Sequence, residues 1–254
     1  MTRAWLMQQG VKRHTLDNWV KSAQLVPVVR GIVKRPDTEI TWQGVACSLQ
    51  FMNSNLTPGG LTALTLQGMV HYLSPNDLNK IYLYGCDKLP AWVNRLLPKI
   101  VFVHRKGLDV RSDHRGSNSD FHYISWKTQF LQYGLDKQTL QISTPELAIL
   151  EVLLDVPQHV SCEHAGQLLQ GLPTLSPERL SRLMERCDSV KVKRLLLWLA
   201  EYDHSPWLNK IDLNKFSMHG GTLGSGKRVI VKGGKLDPRY LITVPQEMTT
   251  ETYG

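Results

Sequence analysis

Ala4-Trp5-Leu6-Met7-Gln8-Gln9-Gly10-Val11, followed by the segment Lys12 to Ser22, is the stretch that decides the fold of the amino-terminal part of the chain. Its first part is typical of a short helix that ends at a glycine, the residue that adopts positive φ most readily. In the second part Leu16, Trp19 and Val20 recur at i, i+3 and i+4, the spacing of the buried stripe of an amphipathic helix. The stretch therefore predicts two short helices joined by a turn.

A β-branched run follows the second predicted helix, at Leu25-Val26-Pro27-Val28-Val29-Arg30-Gly31-Ile32-Val33-Lys34-Arg35-Pro36. Valine and isoleucine favour strands, an Arg-Gly pair interrupts the run, and a proline closes it, so the pattern indicates a small β-hairpin. Two helices followed by a hairpin are the elements of a winged helix-turn-helix. We therefore expect residues 1–37 to form a winged helix-turn-helix DNA-binding domain.

The polar side chains of the second helix point away from its apolar stripe, where they can reach base edges and phosphates. With this helix in the major groove, we expect Arg13 to read guanine, Asn18 to read adenine and Lys21 to hold a phosphate. An ordinary amphipathic surface helix is the alternative that the helix alone leaves open. The residues expected to contact DNA, on the second helix and the hairpin, are Arg13, His14, Asn18, Lys21, Arg30, Lys34 and Arg35.

The positive charge of the chain is concentrated in two places. The 254 residues carry a formal net charge of +8. Residues 1–35 hold seven lysines and arginines against one aspartate, net +6, and residues 209–240 hold seven against two aspartates, net +5. The remainder is therefore mildly acidic. Two basic ends favour a polyanionic partner, and the ordinary apolar content of 42% excludes a disordered chain.

The cysteines and the hydropathy pattern predict the compartment. Cys47, Cys86, Cys162 and Cys187 are far apart and form no C-x-x-C pair. The sequence has no secretory leader and no apolar run of 18 residues. We therefore expect a cytoplasmic protein with reduced thiols and no membrane association.

The rest of the chain, residues 38–254, changes its periodicity twice. Trp42 to Phe51 and Leu61 to Val70 are predicted helices, and a strand-rich block follows them. Thr144-Pro145-Glu146 and Ser176-Pro177-Glu178 are typical helix starts, each with a capping hydroxyl and a proline in the first turn. The predicted strands are Ile81–Tyr84, Ile100–Val103, Asp120–Trp126, Leu140–Ile142, Lys227–Val231 and Tyr240–Val244, with a loop at Asp113–Ser119, and the other predicted helices are Leu147–Val156, Ser161–Gln170, Ser176–Cys187 and Ser189–Tyr202. The predicted fold class is α+β: an N-terminal winged helix-turn-helix followed by a larger mixed α/β C-terminal domain with a helical subdomain.

Neither a metal site nor a catalytic site emerges from the sequence. His159, Cys162 and His164 are metal-capable side chains, yet no second cluster completes four ligands, so surface histidines are the preferred interpretation. No G-x-S-x-G elbow or paired-carboxylate spacing marks a nucleophile or an acid–base pair. We therefore expect a non-enzymatic protein that needs no cofactor.

The residues that carry a family resemblance are spread along nearly the whole chain, and their order is more specific than any single motif. They are Ala4-Trp5-Leu6 with Gln9-Gly10, Leu25-Val26-Pro27-Val28 with Gly31, Gly59-Gly60 with Thr62-Ala63-Leu64, Gly68, His71-Tyr72-Leu73, Ile81-Tyr82-Leu83-Tyr84, Leu89-Pro90-Ala91-Trp92, Gly224-Ser225-Gly226-Lys227-Arg228-Val229, Lys232-Gly233-Gly234-Lys235-Leu236-Asp237 and Ile242-Thr243-Val244-Pro245. Together they resemble the AbiEi family of bacterial antitoxins, regulators paired with nucleotidyltransferase toxins in abortive-infection systems.

The resemblance implies a winged helix-turn-helix on a larger C-terminal antitoxin domain. Such proteins bind inverted repeats upstream of their own operon and repress it, and the C-terminal domain is associated with neutralising the toxin. The pairs are described as type IV, in which a stable complex of toxin and antitoxin is not required. The expected partners are therefore double-stranded operator DNA and a nucleotidyltransferase toxin, with a homodimer on the DNA if two copies bind with two-fold symmetry.

The amino terminus departs from the family pattern. Proteins that resemble this one usually carry another helix before the segment equivalent to Ala4-Trp5-Leu6, and here three residues precede it. Either the start is late, or the winged domain lacks its first helix and one wall of its core. This departure concerns the stability of the DNA-binding domain.

A glycine-rich segment near the carboxy terminus, Gly221 to Lys227, matches the G-x-x-x-x-G-K pattern of a phosphate-binding loop. Arg228 stands where a serine or threonine must ligate magnesium, and a predicted strand follows where a helix is needed. A glycine-rich turn leading into a basic strand is the better interpretation. The candidate second basic surface, for a nucleic-acid or toxin contact, consists of Lys227, Arg228, Lys232 and Lys235.

Two other functions stay open at the level of the sequence. In the first, the chain is a protein-interaction module that neutralises the toxin through direct contact with the toxin or its RNA substrate. In the second, it is an enzyme that acts on the product of the toxin. Autorepression combined with antitoxin activity is the interpretation that the residues and the resemblance favour together.

Overall fold

The computed structural model describes residues 1–70, 77, 79–108, 127–134, 138–216 and 223–249. The chain divides into two compact units, each built from segments that are distant in the sequence. Unit 1 comprises Met1–Pro58, Ser74–Lys106 and Phe130–Ile142, and unit 2 comprises Gly59–Leu73, Gly107–Gln129 and Ser143–Gly254. The domain boundary expected after residue 37 falls inside unit 1 and stays a prediction.

The amino-terminal segment forms the predicted two helices and hairpin. Its elements are α1 (Arg3–Gln8), α2 (Arg13–Lys21), β1 (Val26–Val29) and β2 (Ile32–Lys34). The hydroxyl of Thr2 caps α1 by accepting a hydrogen bond from the N–H of Trp5. Gly10 follows α1 with a φ of +91°, as its position in the sequence predicted. β1 and β2 pair antiparallel, so the predicted hairpin is confirmed.

The first residues of the chain pair with the hairpin, which the sequence did not predict. The α-ammonium group of Met1 donates to the carbonyl of Val33, and the N–H of Val33 donates to the carbonyl of Met1, both at 3.0 Å. Thr2 forms an isolated antiparallel bridge with Ile32. The first two residues therefore add a short extended segment to the hairpin, alongside β2. A pairing of two residues is too short to leave a period-two pattern in the sequence.

The remainder of unit 1 packs a small sheet between helices. Its elements are α3 (Trp42–Phe51), β3 (Thr57–Pro58), β4 (Lys80–Tyr84), α4 (Ala91–Leu96) and β5 (Val101–Arg105). β4 lies in the centre of the sheet, antiparallel to β3 and parallel to β5. The buried core of this part includes Val45, Leu49, Leu56, Leu83 and Val93. The predicted helix at residues 42–51 and the strands at 81–84 and 100–103 are confirmed, with shifts of at most a few residues.

Downstream elements of unit 1 contact the amino-terminal segment. The rings of Trp5 in α1 and Phe51 in α3 meet edge to face, with centroids 5.4 Å apart. Helix α4 packs against β1. Leu16, the buried residue of α2, is fully inaccessible to solvent. Helices α3 and α4 thus pack against elements of the amino-terminal segment.

Unit 2 is mainly helical in its described part. Its helices are α5 (Gly60–Leu66), α6 (Pro145–Leu154), α7 (Cys162–Gln170), α8 (Pro177–Arg186) and α9 (Val190–Tyr202). The predicted caps Thr144 and Ser176 each accept a hydrogen bond from an N–H of the first turn of their helix. The helix predicted at 61–70 is shorter, because Gly68 adopts a φ of +69° after Leu66. These helices confirm the predicted helical region.

The carboxy-terminal part of unit 2 is a three-stranded sheet, where two strands were predicted. Its strands are β8 (Arg228–Val229), β9 (Lys235–Asp237) and β10 (Ile242–Val244), arranged in the order β8-β10-β9. β10 is parallel to β8 and antiparallel to β9. The sequence missed β9 because three residues with two charges carry no strand pattern. Short 3₁₀ helices lie at Leu208–Lys210, Leu213–Lys215 and Glu247–Thr249.

Strands β6 (Thr128–Tyr133) and β7 (Gln138–Ser143) form a separate two-stranded sheet that includes the predicted strand at 140–142. The predicted strand at Asp120–Trp126, the predicted loop at Asp113–Ser119 and the segment His71-Tyr72-Leu73 lie outside the described residues. Among the helices that the structure describes, none combines the length and the apolarity that crossing a bilayer requires.

Candidate nucleic-acid interface

One face of α2 presents the four polar residues that the sequence singled out. Arg13, His14, Asn18 and Lys21 are all exposed, whereas Leu16 on the opposite side is fully buried. At 3.6 residues per turn these four positions fall within an arc of about 140°. The side chains therefore lie on one continuous surface, which includes the cationic side chains of Arg13 and Lys21. Such a surface suits a groove lined by phosphates and base edges.

A carboxylate lies in the middle of this face and is held by the neighbouring helix. Asp17 accepts a hydrogen bond from the Arg3 guanidinium and forms an ion pair with it. That hydrogen bond lowers the pKa of Asp17 below its usual value, and the charges of Arg3, Arg13 and Lys21 act in the same direction. The carboxylate therefore stays ionised and partly neutralised by Arg3. The sequence did not identify this role of Arg3, because α1 and α2 are brought together only by the fold.

The hairpin carries three predicted contact residues in different settings. Arg30 lies exposed at the turn, beside Gly31, which has a φ of +80°. Arg35 is also exposed. Lys34 is half-buried, and its ammonium group donates to the carbonyls of Pro36 and Thr38 at 3.0 and 2.6 Å. Arg30 and Arg35 are thus accessible to a ligand, whereas Lys34 binds backbone carbonyls of the segment that follows the hairpin.

The glycine-rich segment near the carboxy terminus surrounds a buried arginine. Arg194 of α9 is fully buried, and its guanidinium donates to the carbonyls of Leu223, Gly224 and Gly226 at 2.9, 3.0 and 2.6 Å. A nucleotide-binding loop instead turns its N–H groups toward a phosphate. The first two positions of the G-x-x-x-x-G-K pattern lie outside the described residues. In its described part, this loop instead directs carbonyl oxygens toward the guanidinium of Arg194, a residue of the same unit.

The candidate second basic surface lies on and beside this loop. Lys227, Arg228, Lys232 and Lys235 are all exposed. Arg228 belongs to β8 and Lys235 to β9, the two outer strands of the carboxy-terminal sheet. The fold of unit 2 therefore brings the four cations to one small sheet and its loops.

Two buried glutamates of unit 2 accept hydrogen bonds from backbone N–H groups at the starts of helices. Glu151 accepts hydrogen bonds from the N–H of Gly60, at 2.8 Å, and from the hydroxyl of Ser143, at 3.2 Å. Burial raises the pKa of Glu151 to about 8. Glu146 accepts from the N–H of Ser176 and pairs with Arg179 at 3.0 Å. Both carboxylates therefore satisfy the first N–H groups at helix starts, a structural use that accounts for their burial.

The metal-capable residues of the sequence stay apart from any larger cluster. The thiol of Cys162 is buried, and burial raises its pKa to about 12. His159, by contrast, is exposed. Within the ranges of the chain that the structure describes, no group of three or more histidine, cysteine, aspartate or glutamate side chains is placed to hold a metal ion.

Comparisons with known proteins identify the family. A family model described as a transcriptional regulator, the AbiEi antitoxin of type IV toxin–antitoxin systems, matches residues 78–245. A second model, of the AbiEi antitoxin N-terminal domain, matches residues 1–75. The crystal structure of the RV2827C protein from Mycobacterium tuberculosis is similar over 94% of this chain and 82% of its own, with 14% identity and a TM-score of 0.49. A search of curated proteins gave no match. Because the family models cover most of the chain, this protein belongs to the AbiEi antitoxin family of transcriptional regulators of type IV toxin–antitoxin systems.

Proposed function

We propose that this protein is the antitoxin and the DNA-binding autorepressor of an abortive-infection toxin–antitoxin operon, counteracting a nucleotidyltransferase toxin. The observation that carries the proposal is the exposed face of α2, where Arg13, His14, Asn18 and Lys21 lie together. The regulatory role of the family supports it. In this proposal residues 1–37 act as a winged helix-turn-helix.

The proposed complex places α2 in the major groove of the operator and the hairpin beside it. Arg13 reads guanine through its two parallel donors, Asn18 reads adenine, and Lys21 holds a phosphate. Arg30 and Arg35 contact phosphates or the minor groove from the hairpin. Residues 1–35 carry a net charge of +6, so counterion release supplies much of the affinity and makes binding steeply salt-dependent.

The experiment that tests DNA recognition compares two double variants that lose the same charge. R13Q/K21Q removes two cations from α2, whereas K88Q/K99Q removes two exposed cations from elsewhere in unit 1. Fluorescence anisotropy with the DNA upstream of the operon should show that R13Q/K21Q binds more weakly and that its salt slope falls by about two. K88Q/K99Q should bind as the wild type does. Equal affinities of R13Q/K21Q and the wild type would remove α2 from the interface.

Toxin neutralisation is assigned in this proposal to residues 38–254. Co-expression with the adjacent nucleotidyltransferase tests this part, because the full-length variant R13Q/K21Q should rescue growth without repressing the operon. Rescue without co-purification of the toxin is the outcome expected for a type IV pair. Stable co-purification would favour the alternative, a module that neutralises the toxin by direct contact.

A further inference from the structure

The peptide groups of the loop around Arg194 have a common orientation. The carbonyls of Leu223, Gly224 and Gly226 all converge on the guanidinium, at distances of 2.6 to 3.0 Å. A fourth carbonyl, from Leu241, approaches it at 3.4 Å. The carbonyl oxygens of the loop therefore point inward and accept hydrogen bonds from the guanidinium of Arg194, which is fully buried.

The N–H groups of the same peptide groups point the other way. In a trans peptide the C=O of one residue and the N–H of the next are antiparallel, so the N–H groups of Gly224, Ser225 and Lys227 are directed away from Arg194. None of these three donates to another residue in the described part of the chain. Ser225 and Lys227 are exposed. The outward side of the loop thus offers backbone donors that no residue in the described ranges uses.

The charges at the loop, on Lys227 and Arg228, are positive. Lys227 and Arg228 form no ion pair with any residue that the structure describes, unlike Arg239, which pairs with Glu201 at 2.7 Å. Burial and then the charge of Arg228 lower the pKa of Arg194. A bound anion would therefore relieve the repulsion between these two guanidinium groups as well as accept hydrogen bonds.

We propose that the loop from Gly224 to Arg228 is a second nucleic-acid contact, which binds a backbone phosphate of DNA or RNA. The phosphate oxygens accept hydrogen bonds from the outward N–H groups and pair with Lys227 and Arg228. Lys235 of β9, and Lys232 in the segment between β8 and β9, extend the basic surface along the nucleic-acid backbone. The site binds without hydrolysis, because Arg228 occupies the position of the magnesium ligand in a nucleotide-binding loop. The inference is independent of the α2 surface and goes beyond the proposed function.

The test measures binding of the full-length protein to two probes of equal length, a random-sequence DNA duplex and a single-stranded RNA. K227Q/R228Q should lose about fivefold or more in affinity at low salt for one or both probes, and its salt slope should fall by up to about two. K88Q/K99Q, with the same loss of charge outside both basic stretches, should stay within about twofold of the wild type. The probe that responds identifies the nucleic acid.

A conservative exchange separates binding from folding. K227R/R228K keeps both charges and should retain the affinity of the wild type, and all variants should show the wild-type thermal unfolding midpoint. Equal binding of K227Q/R228Q and wild type to both probes would overturn the inference, as would equal losses in K227Q/R228Q and K88Q/K99Q. The proposed function fails separately, through an unchanged R13Q/K21Q on upstream DNA.

Discussion

At the scale of single residues, two buried ionisable groups hold a helix start and a loop of unit 2 in place. Glu151 accepts a hydrogen bond from the N–H of Gly60 at the start of α5, and Arg194 donates to the carbonyls of the glycine-rich loop. A buried polar or charged group that lost such partners would be costly, so each group and its partners must stay together. This contact explains the glycine at position 60, because Gly60 adopts a φ of +51° where its N–H donates to the side chain of Glu151.

Replacing Glu151 by glutamine should flatten the dependence of stability on pH. The folded pKa of Glu151 is raised to about 8 from a model-peptide value of 4.5, so between these values the folded state binds more protons than the unfolded state. Stability from this group is therefore complete below about pH 4.5 and is lost as the pH rises through 8. Glutamine stays neutral and keeps an acceptor for the N–H of Gly60.

Urea unfolding of wild type and E151Q across this pH range measures the effect. The free energy of unfolding of the wild type should decrease toward pH 8 relative to that of E151Q. The difference between the two proteins isolates Glu151, because all other titratable groups are the same in both. Parallel curves for the two proteins would show that Glu151 does not titrate in this range.

At the scale of elements, the turn of the amino-terminal hairpin depends on one glycine. Gly31 has a φ of +80°, a conformation that side chains other than glycine rarely adopt, although open space surrounds the position of a Cβ. Gly31→Ala should therefore destabilise the protein by about 1–2 kcal/mol through backbone strain alone. It should also weaken DNA binding, because Arg30 occupies the same turn.

Gly166→Ala is the matched control for this prediction. Gly166 lies inside α7, and an added Cβ would meet its nearest neighbour, Leu199, at an ordinary 3.5 Å. The same chemical change should leave stability unchanged there or raise it by up to about 1 kcal/mol. Thermal unfolding by circular dichroism compares the two variants. A loss in G166A as large as that in G31A would contradict the assignment to backbone strain.

Local signals predicted the elements well, and they failed where partners come from distant parts of the chain. Thr144 and Ser176 mark helix starts within three residues, and both are confirmed as caps. The pairing of Met1 with Val33 and the burial of Arg194 against the loop have no local pattern, because they depend on the folded arrangement. The exposed face of α2 was predicted by helical spacing alone, whereas the contact of Asp17 with Arg3 was not.

At the scale of the whole molecule, the proposed function implies symmetric binding of DNA. The operator proposed for this protein is an inverted repeat, and an inverted repeat matches two protein copies related by a two-fold axis. Each copy would then place its own α2 in one half-site. The oligomeric state on DNA is therefore a property that can be tested without knowing which bases are read.

Two copies of the protein should bind one full operator, and the half-sites should have to face the same side of the duplex. Sedimentation of the complex should give two protein copies on the inverted repeat and one on a duplex that keeps a single half-site. Insertion of five base pairs between the half-sites rotates them by about half a helical turn. It should abolish cooperative binding and leave the affinity of each half-site unchanged. One copy on the full repeat, or cooperativity that survives the insertion, would rule out a two-fold symmetric complex, since such a complex fixes the distance and the rotation between its two α2 helices.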